Sequence, residues 1–248
     1  MQVASSPRLP ARAARRLARL SRALGRRAAA PITKPRAEAS TRRFHRLYYD
    51  RRPQTWSNTS WLGTKVAKCP LDLWVYQELV HELRPALVVE TGTFRGGSAL
   101  FFASCLDLVD HGRVVTIDVE PRPGRPPHPR ITYLTGSSTD PSILETVQQD
   151  AAAADTVLVV LDSDHSYDHV LAELQAYSPL VTEGSYLVVE DTNVNGHPVL
   201  PKFGPGPYEA VETFLESSTA FVRDREREKF MLTFNPGGWL RRLPRTET

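Results

Sequence analysis

The chain has 248 residues, of which 41% are hydrophobic and 24% are charged. This length fits one large domain, or one domain with an extension, and the composition is ordinary for a soluble protein. The two cysteines, Cys69 and Cys105, lack CxxC or zinc-like spacing, so neither a disulfide framework nor a structural zinc site is expected. No run of about 18 apolar residues occurs, which argues against a membrane span, and we expect a cytoplasmic protein.

The charge is distributed unevenly along the chain. Residues 1–52 contain 15 Lys and Arg but only two acids, a net charge of +13, whereas residues 53–248 carry a net charge of −10. We therefore expect a basic extension up to residue 52, partly disordered or with short helices, followed by one folded domain. Leu17, Leu20 and Leu24 have the spacing of a short amphipathic helix. A nucleic-acid-binding function would suit the extension but not the acidic remainder, which has no aromatic-basic motif.

Short apolar runs alternate with amphipathic stretches after residue 53. The predicted helices are 70–83, with Asp72 as its cap, 96–109, 140–150, 165–178 and 208–217. The predicted strands are 86–90, 113–119, 131–134, 156–162, 185–191, 220–226 and 229–234. Proline-rich or glycine-rich loops are expected at 121–130 and 193–207. This alternation predicts an α/β protein with a mostly parallel sheet covered on both faces, in which the last two strands form an antiparallel pair.

The segment VVETGTFRGGS, residues 88–98, joins a predicted strand to a predicted helix through a glycine-containing turn. Glu90 ends the strand, and Gly92, Gly96 and Gly97 would let a ligand approach the backbone and the helix N-terminus. The spacing is not GxGxxG, and the acid disfavours a pyrophosphate nearby. A less anionic nucleoside ligand therefore fits better than a dinucleotide, and a purely structural βα turn is the alternative.

Two further segments extend this candidate nucleoside site. Asp118 ends the second predicted strand, where an acid can accept hydrogen bonds from both hydroxyls of a ribose. The segment GSSTD, residues 136–140, follows the third strand and could line an adenine pocket, cap the next helix, or do both.

Acidic residues crowd the ends of the fourth and fifth predicted strands. Asp162 ends one strand, and Glu190 and Asp191 end the other, so their carboxylates would converge at one edge of a parallel sheet. Three uncompensated carboxylates repel one another, and a hard cation such as Mg²⁺, Mn²⁺ or Ca²⁺ would relieve this repulsion. Asp164 competes with Asp162 as the ligand. His165 lies three residues after Asp162, where it could act as a base beside a metal-bound hydroxyl.

Taken together, VETGTFRGGS, TIDVE, LDSDHS and SYLVVEDTNVNGHPV resemble, in that order, class I S-adenosylmethionine-dependent methyltransferases. The resemblance is closest to the group of cephalosporin hydroxylase-like and rhamnosyl O-methyltransferase proteins, and WLGTKVAKCPLD (61–72) fits the same group. It covers roughly residues 56–240 and implies a Rossmann-like fold with a mostly parallel seven-stranded sheet. It also implies that S-adenosylmethionine and Mg²⁺ are the cofactors, that Asp162, Glu190 and Asp191 bind the metal, and that His165 is the catalytic base.

The resemblance further implies O-methylation of a sugar or glycosylated natural product, as in antibiotic biosynthesis, by a homo-oligomer. A non-sugar hydroxyl such as a catechol is the alternative acceptor. The predicted cofactor-binding residues are Glu90, Thr91, Gly92, Thr93, Gly96, Gly97, Ser98, Asp118, Gly136, Ser137, Ser138 and Asp162. The predicted acceptor-binding residues are Trp61, Lys65, Asn193 and His197, with Trp56 as a further candidate. Two other hypotheses are a catalytically inactive scaffold and an iron hydroxylase using His165, Asp168 and His169.

Overall fold

The computed structural model describes residues 33–244 of the chain. The predicted helix around Leu17, Leu20 and Leu24 lies outside this range. The described part begins with helix α1 (Lys34–Asp50). The chain divides into two units between Thr41 and Arg42, and the sheet and the site described below lie in the second unit.

The elements that follow α1 in the second unit include one 3₁₀ turn, five helices and nine strands. They are a 3₁₀ turn (Trp56–Asn58), β1 (Thr59–Trp61), β2 (Thr64–Val66), α2 (Pro70–Leu83), β3 (Leu87–Thr91), α3 (Gly97–Leu108), β4 (Arg113–Asp118), β5 (Ile131–Thr135), α4 (Pro141–Ala152), β6 (Val157–Leu161), α5 (Tyr167–Tyr177), β7 (Tyr186–Val189), α6 (Pro207–Ser217), β8 (Phe221–Arg223) and β9 (Trp239–Arg242). Short 3₁₀ turns also occur at Ser178–Leu180 and Arg225–Glu228. Among residues 33–244, no helix is both long enough and apolar enough to cross a membrane.

Seven strands form one sheet in the order β5-β4-β3-β6-β7-β9-β8. The first five of these strands run parallel, and β9 runs antiparallel to both β7 and β8. The strand β3 lies between β4 and β6, with Thr91 opposite Ile117 on one side and Leu161 on the other. The predicted α/β fold with a mostly parallel sheet is confirmed, and the order reverses at β3, where ligands bind in such sheets.

Both faces of the sheet are buried, as parallel strands with helical crossovers require. In β3, Leu87 and Val89 pack with α4, α5 and α6, whereas Val88 packs with α2 and α3 on the opposite face. Strand β6 alternates in the same way, and every residue from Val157 to Leu161 is buried. The continuous apolar runs that predicted these strands therefore reflect two core layers.

Two predictions about individual elements are wrong. Asp72 does not cap α2: Cys69 precedes the helix, and the buried Asp72 carboxylate accepts a hydrogen bond from the Phe234 backbone N–H at 2.8 Å. Residues 229–234 do not form the last strand, which is β9 instead. Their apolar side chains Leu232 and Phe234 pack in a small cluster that includes Cys69, which accounts for a strand-like pattern without strand pairing.

Candidate active site

A cavity of about 930 Å³ opens where the parallel strands end. Of the residues predicted to form a site, its wall contains Trp56, Lys65, Gly92, Thr93, Gly97, Ser98, Asp118, Gly136, Ser137, Ser138, Asp162, His165 and Asp191. The other predicted residues, Trp61, Glu90, Thr91, Gly96, Glu190, Asn193 and His197, do not line it. Most of the cofactor and metal predictions thus meet in one cavity, whereas most of the acceptor predictions do not.

Gly92 brings the end of β3 directly against the end of β6. Its backbone has φ +87°, and a Cβ at this position would lie 1.8 Å from the carbonyl oxygen of Asp162. Behind this turn, Glu90 is fully buried, and its Oε2 accepts a hydrogen bond from the Thr116 hydroxyl at 2.7 Å. Among the described residues, Glu90 Oε1 has no hydrogen-bond partner. Burial raises the pKa of Glu90.

Asp118 lies at the end of β4 and is already tightly held. Its Oδ2 accepts hydrogen bonds from the Phe94 backbone N–H at 2.7 Å and the Arg125 guanidinium at 2.9 Å. Its Oδ1 accepts one from the Glu120 backbone N–H at 2.9 Å. Arg125 also donates to the carbonyl oxygens of Phe94 and Glu120, so it ties the proline-rich loop to the β3 turn. Arg125 was not among the predicted residues.

The segment after β5 caps the next helix, as one prediction has it, and also lines the cavity. Ser137 and Ser138 line the cavity, while the Asp140 carboxylate accepts a hydrogen bond from the Ser142 N–H and caps α4. The Ser138 hydroxyl lies 3.1 Å from His169 Nε2, which lies equally close to the Ser163 hydroxyl. This short polar cluster joins the ends of β5 and β6.

Two carboxylates and one imidazole form the centre of the other side of the cavity. His165 Nε2 lies 3.3 Å from Asp162 Oδ1 and 3.2 Å from Asp191 Oδ2. One donor atom from each of the three residues lies within 4.8 Å of the other two, a spacing that could hold a metal ion. Asp164 is instead exposed and accepts a hydrogen bond from the Ser166 backbone N–H at 2.7 Å, so the geometry favours Asp162 over Asp164.

Glu190, the third predicted ligand, does not belong to the group spaced to hold an ion. Its Oε1 accepts hydrogen bonds from Tyr76 Oη at 2.6 Å and from the Lys68 ammonium at 2.7 Å. The same ammonium contacts Asp162 Oδ2. The premise that the three carboxylates lack a counter-charge is therefore wrong, because Lys68 supplies one from the segment between β2 and α2.

The charges of this cluster shift its protonation equilibria. Burial alone would raise the pKa of Asp162, but the Lys68 ammonium and the His165 imidazole outweigh it, and the net shift is downward. Burial would lower the pKa of His165, whereas the hydrogen bond to Asp162 and the charge of Asp191 raise it to about 9. In this arrangement the imidazolium is the favoured form of His165 at neutral pH.

The residues of the iron-hydroxylase hypothesis do not converge. Asp168 is exposed, and His169 contacts Ser138 and Ser163 rather than His165. Among the described residues, the group spaced to hold a metal contains one histidine and two carboxylates. It lacks the second histidine of the usual iron-oxygenase triad.

Three of the four predicted acceptor residues contact other parts of the protein. Trp61 packs edge-on against Phe101 and donates its indole N–H to Ser104. The buried Asn193 side chain donates to His45 Nε2 at 3.0 Å. His197 stacks on Tyr208 and contacts the Glu209 carboxylate at 2.9 Å. Only the exposed Lys65 lies in the cavity wall.

An aromatic pair forms part of the wall near Lys65. Tyr49, from the end of α1, stacks on Trp56 with ring centroids 5.1 Å apart, and Trp56 donates its indole N–H to the Tyr49 carbonyl. Apolar side chains of the 193–207 loop, Leu200 and Phe203 among them, also line the cavity. Trp56 was a predicted candidate, but Tyr49 was missed because it lies in the segment assigned to the basic extension.

The comparisons with known proteins agree with this architecture. A sequence profile of the family described as Rhamnosyl O-methyltransferase/CmcI matches residues 53–243. The rhamnosyl O-methyltransferase of Mycobacterium tuberculosis is 42% identical over 213 residues, which cover 82% of this chain and 85% of that protein. The Mycobacterium leprae protein of the same name is 42% identical over 203 residues, covering 79% of this chain and 88% of that protein.

Among solved structures, a CmcI structure described as a Mg-SAM form superimposes with a TM-score of 0.61 at 22% identity, covering 78% of this chain and 81% of that chain. A CmcI apo-structure gives a TM-score of 0.60 at 24% identity, covering 79% and 81%. These structures share the fold of this protein. The profile and the mycobacterial relatives confirm the predicted O-methyltransferase: the chain belongs to the Rhamnosyl O-methyltransferase/CmcI family.

Proposed function

We propose that this protein transfers a methyl group from S-adenosylmethionine to a hydroxyl of a sugar carried by a natural product, with Mg²⁺ as a second cofactor. The observation that carries this proposal is that one cavity joins the Gly92 turn and Asp118 to the Asp162–His165–Asp191 group. A methyl donor and an ion-bound acceptor need such adjacent sites. The mycobacterial relatives named for rhamnosyl O-methylation support a sugar as the acceptor.

The side of the cavity around Asp118 fits S-adenosylmethionine. The buried Glu90 Oε1 has no hydrogen-bond partner among the described residues, as expected of an oxygen that would accept a hydrogen bond from the methionine ammonium. Asp118 would accept hydrogen bonds from the ribose hydroxyls. Gly136, Ser137 and Ser138 have small side chains, which leave room for a flat adenine. The cofactor supplies an electrophilic methyl group on a sulfonium.

The opposite side fits a hard divalent ion. Two carboxylate oxygens and one imidazole nitrogen converge within 4.8 Å, and Mg²⁺ prefers oxygen ligands. A bound Mg²⁺ supplies a Lewis acid that lowers the pKa of a hydroxyl in contact with it. Asp162 and Asp191 would hold the ion, and Glu190 could join them only after leaving Lys68.

His165 is positioned to accept the proton of the acceptor hydroxyl at Nε2. The carboxylates of Asp162 and Asp191 stabilise a proton on this imidazole, and positive charge brought to them counteracts that stabilisation. The Tyr49–Trp56 pair would pack against the C–H face of a sugar ring, and Lys65 would donate a hydrogen bond to a sugar hydroxyl. Alignment of acceptor and donor in one cavity can supply roughly 7–11 kcal/mol towards the barrier in favourable cases.

Calorimetric titration with S-adenosylmethionine tests the donor site. We expect the wild type to bind it and Asp118→Ala to bind it at least about tenfold more weakly, since the ribose would lose its acceptor. An absence of binding to the wild type, with and without Mg²⁺, would refute the methyltransferase mechanism.

A matched pair of variants tests the ion site. With a rhamnosyl glycoside and a catechol as alternative acceptors, methyl transfer is followed by mass spectrometry in Mg²⁺ or EDTA. We expect transfer to the glycoside, its loss in EDTA, and a loss of roughly 100-fold in Asp162→Asn but not in Asp164→Asn. Transfer to the catechol alone would mean that the acceptor is not a sugar. Equal losses of activity in both variants would contradict the assignment of Asp162 as the ion ligand.

A further inference from the structure

Lys68 is a buried cation held between the acidic ends of two strands. Its side chain is 3% exposed and contacts Asp162 Oδ2 and, at 2.7 Å, Glu190 Oε1. Tyr76 donates a second hydrogen bond to the same Glu190 oxygen at 2.6 Å. The ammonium thus contacts Asp162, which belongs to the group spaced to bind an ion, and Glu190, which lies beside that group.

The local charge explains why a lysine is buried here. Asp162, Glu190 and Asp191 stand together at the ends of β6 and β7, where Glu190 is buried and the other two are only partly exposed. A cluster of carboxylates with little solvation and no counter-charge is strongly destabilised, so an ion-free site needs a cation from the protein itself. Lys68 meets that need, and the Coulomb attraction at such distances is strong in a poorly solvated site.

The same contacts restrict a divalent ion. An ion bound by Asp162 and Asp191 would stand close to the Lys68 ammonium and be repelled by it. Glu190 Oε1 already accepts two hydrogen bonds, so an ion must displace the Lys68 ammonium to bind this oxygen. Lys68 therefore forms ion pairs with two potential ion ligands, Glu190 and Asp162, and adds a positive charge that repels the ion.

We propose that Lys68 is a built-in counter-charge that competes with the divalent ion for Asp162 and Glu190 and thereby weakens ion binding. It is a positioning residue that holds Asp162 and Glu190 together when no ion is bound. The proposal rests on the ion site of the proposed function. Its consequence is that the ion binds reversibly, in competition with the lysine, rather than as a permanent part of the fold.

Ion affinity and thermal stability test the proposal without any activity measurement. The Kd for Mg²⁺ is measured by calorimetry, and Tm is measured in EDTA and in Mg²⁺. The variants are Lys68→Met, Lys68→Arg, Asp191→Asn and the control Lys65→Met. The control removes the same charge from an exposed side chain of the same cavity wall.

We expect Lys68→Met to bind Mg²⁺ at least about tenfold more tightly than the wild type, because a nearby repulsive charge is removed and Glu190 is released. Its Tm should fall in EDTA and rise more in Mg²⁺ than that of the wild type. Lys68→Arg and Lys65→Met should stay within about threefold of the wild-type Kd. Unchanged or weaker binding by Lys68→Met would overturn the proposal.

A double variant covers the case in which Lys68→Met does not fold. Lys68→Met with Glu190→Gln removes one positive and one negative charge together, so it should fold without the ion and bind Mg²⁺ within about threefold of the wild type. Tenfold tighter binding by this double variant would overturn the competition for Glu190. Folding of Lys68→Met only in Mg²⁺ would support the proposal.

Asp191→Asn separates the two possible failures. If it binds Mg²⁺ as well as the wild type does, the ion site is wrong, and the metal of the proposed function and the role of Lys68 fall together. If it loses Mg²⁺ while Lys68→Met gains no affinity, the ion site stands and the role of Lys68 alone is refuted.

Discussion

The two sides of the cavity are built by different means. Around Asp118, the wall consists mainly of chain turns and small side chains, and the carboxylate is held by backbone N–H groups and by Arg125. Around Asp162, the wall consists mainly of charged side chains, and Lys68 and His165 balance carboxylates from two strands. The first side depends on backbone conformation, whereas the second depends on charges that come from distant segments.

This difference determines how each side should respond to substitution. A change in a tight turn acts through steric contact and stays local, because the clash involves particular atoms. A change of one buried charge alters every neighbouring charge in a poorly solvated site. Substitutions at the turn where the two sides meet, behind the charged side and within the turn side test this distinction.

The largest effect is expected at Gly92, where the two sides touch. A Cβ at Gly92 would lie 1.8 Å from the Asp162 carbonyl oxygen, so Gly92→Ala must push the ends of β3 and β6 apart. We expect a loss of S-adenosylmethionine binding and a fall in activity of at least roughly 100-fold, the cost of misplacing aligned groups by about 1 Å. Calorimetry and initial rates measure both.

Gly63→Ala is the matched control for this substitution. Gly63 has a similar φ of +83°, but no atom lies within 4 Å of the Cβ that alanine would add. Both variants bear the cost of a left-handed alanine, about 1–2 kcal/mol, and only Gly92→Ala adds the clash. Similar activity losses in the two variants would show that strain, and not contact between the two sides, limits position 92.

The second effect concerns the support behind the charged side. His45 is buried, stacks on Phe234 and accepts a hydrogen bond from Asn193, two residues after Asp191. Burial lowers the pKa of His45 to about 4. The folded state therefore binds a proton at His45 less readily than the unfolded state does. The contribution of neutral His45 to the free energy of unfolding is complete above pH 6.5 and is lost as the pH falls towards 4.

By pH 5 the loss from His45 should reach about 2 kcal/mol in the free energy of unfolding. Urea denaturation at pH 7.5 and pH 5 measures it as the difference between the wild type and His45→Gln, whose side chain accepts a hydrogen bond but does not titrate in this range. The exposed His111, as His111→Gln, provides the control. If the free energy of unfolding falls equally with pH in the wild type, His45→Gln and His111→Gln, His45 does not contribute to the loss of stability in acid.

The same distinction explains what the sequence could predict. The turn side follows from local order in the chain: a strand, an acid, glycines and a helix start. The parallel strands then bring Gly92, Asp118 and Ser138 to one edge. Asp162 and His165 could be predicted for the same reason, since both lie at the end of one strand.

The charged side could not be completed from sequence because its balance is non-local. Lys68 is 94 residues from Asp162. The segment WLGTKVAKCPLD fits the family pattern, yet the sequence indicates Lys65 and not Lys68 as its candidate site residue. Nothing local distinguishes a buried lysine from an exposed one. The contacts of Glu190 could not be predicted for the same reason, since Tyr76 and Lys68 come from distant segments.

The smallest effect is expected at Arg125, within the turn side. Arg125 contacts no residue of the charged cluster, but it holds Asp118 and the carbonyl oxygens of Phe94 and Glu120. We expect Arg125→Gln to raise KM for S-adenosylmethionine about tenfold and leave kcat nearly unchanged, because it misplaces the ribose acceptor but not the reacting groups. Arg122→Gln, on the same loop but paired with Glu120 Oε2, should change neither constant appreciably.

A double-mutant cycle with Asp118→Asn shows whether Arg125 acts through Asp118. If it does, the double variant should bind the cofactor about as weakly as Asp118→Asn alone, so the two losses do not add. Additive losses would mean that Arg125 only stiffens the loop. A fall in kcat in Arg125→Gln would mean that the turn side also positions the reacting groups, and the separation between the two sides of the cavity would then break down.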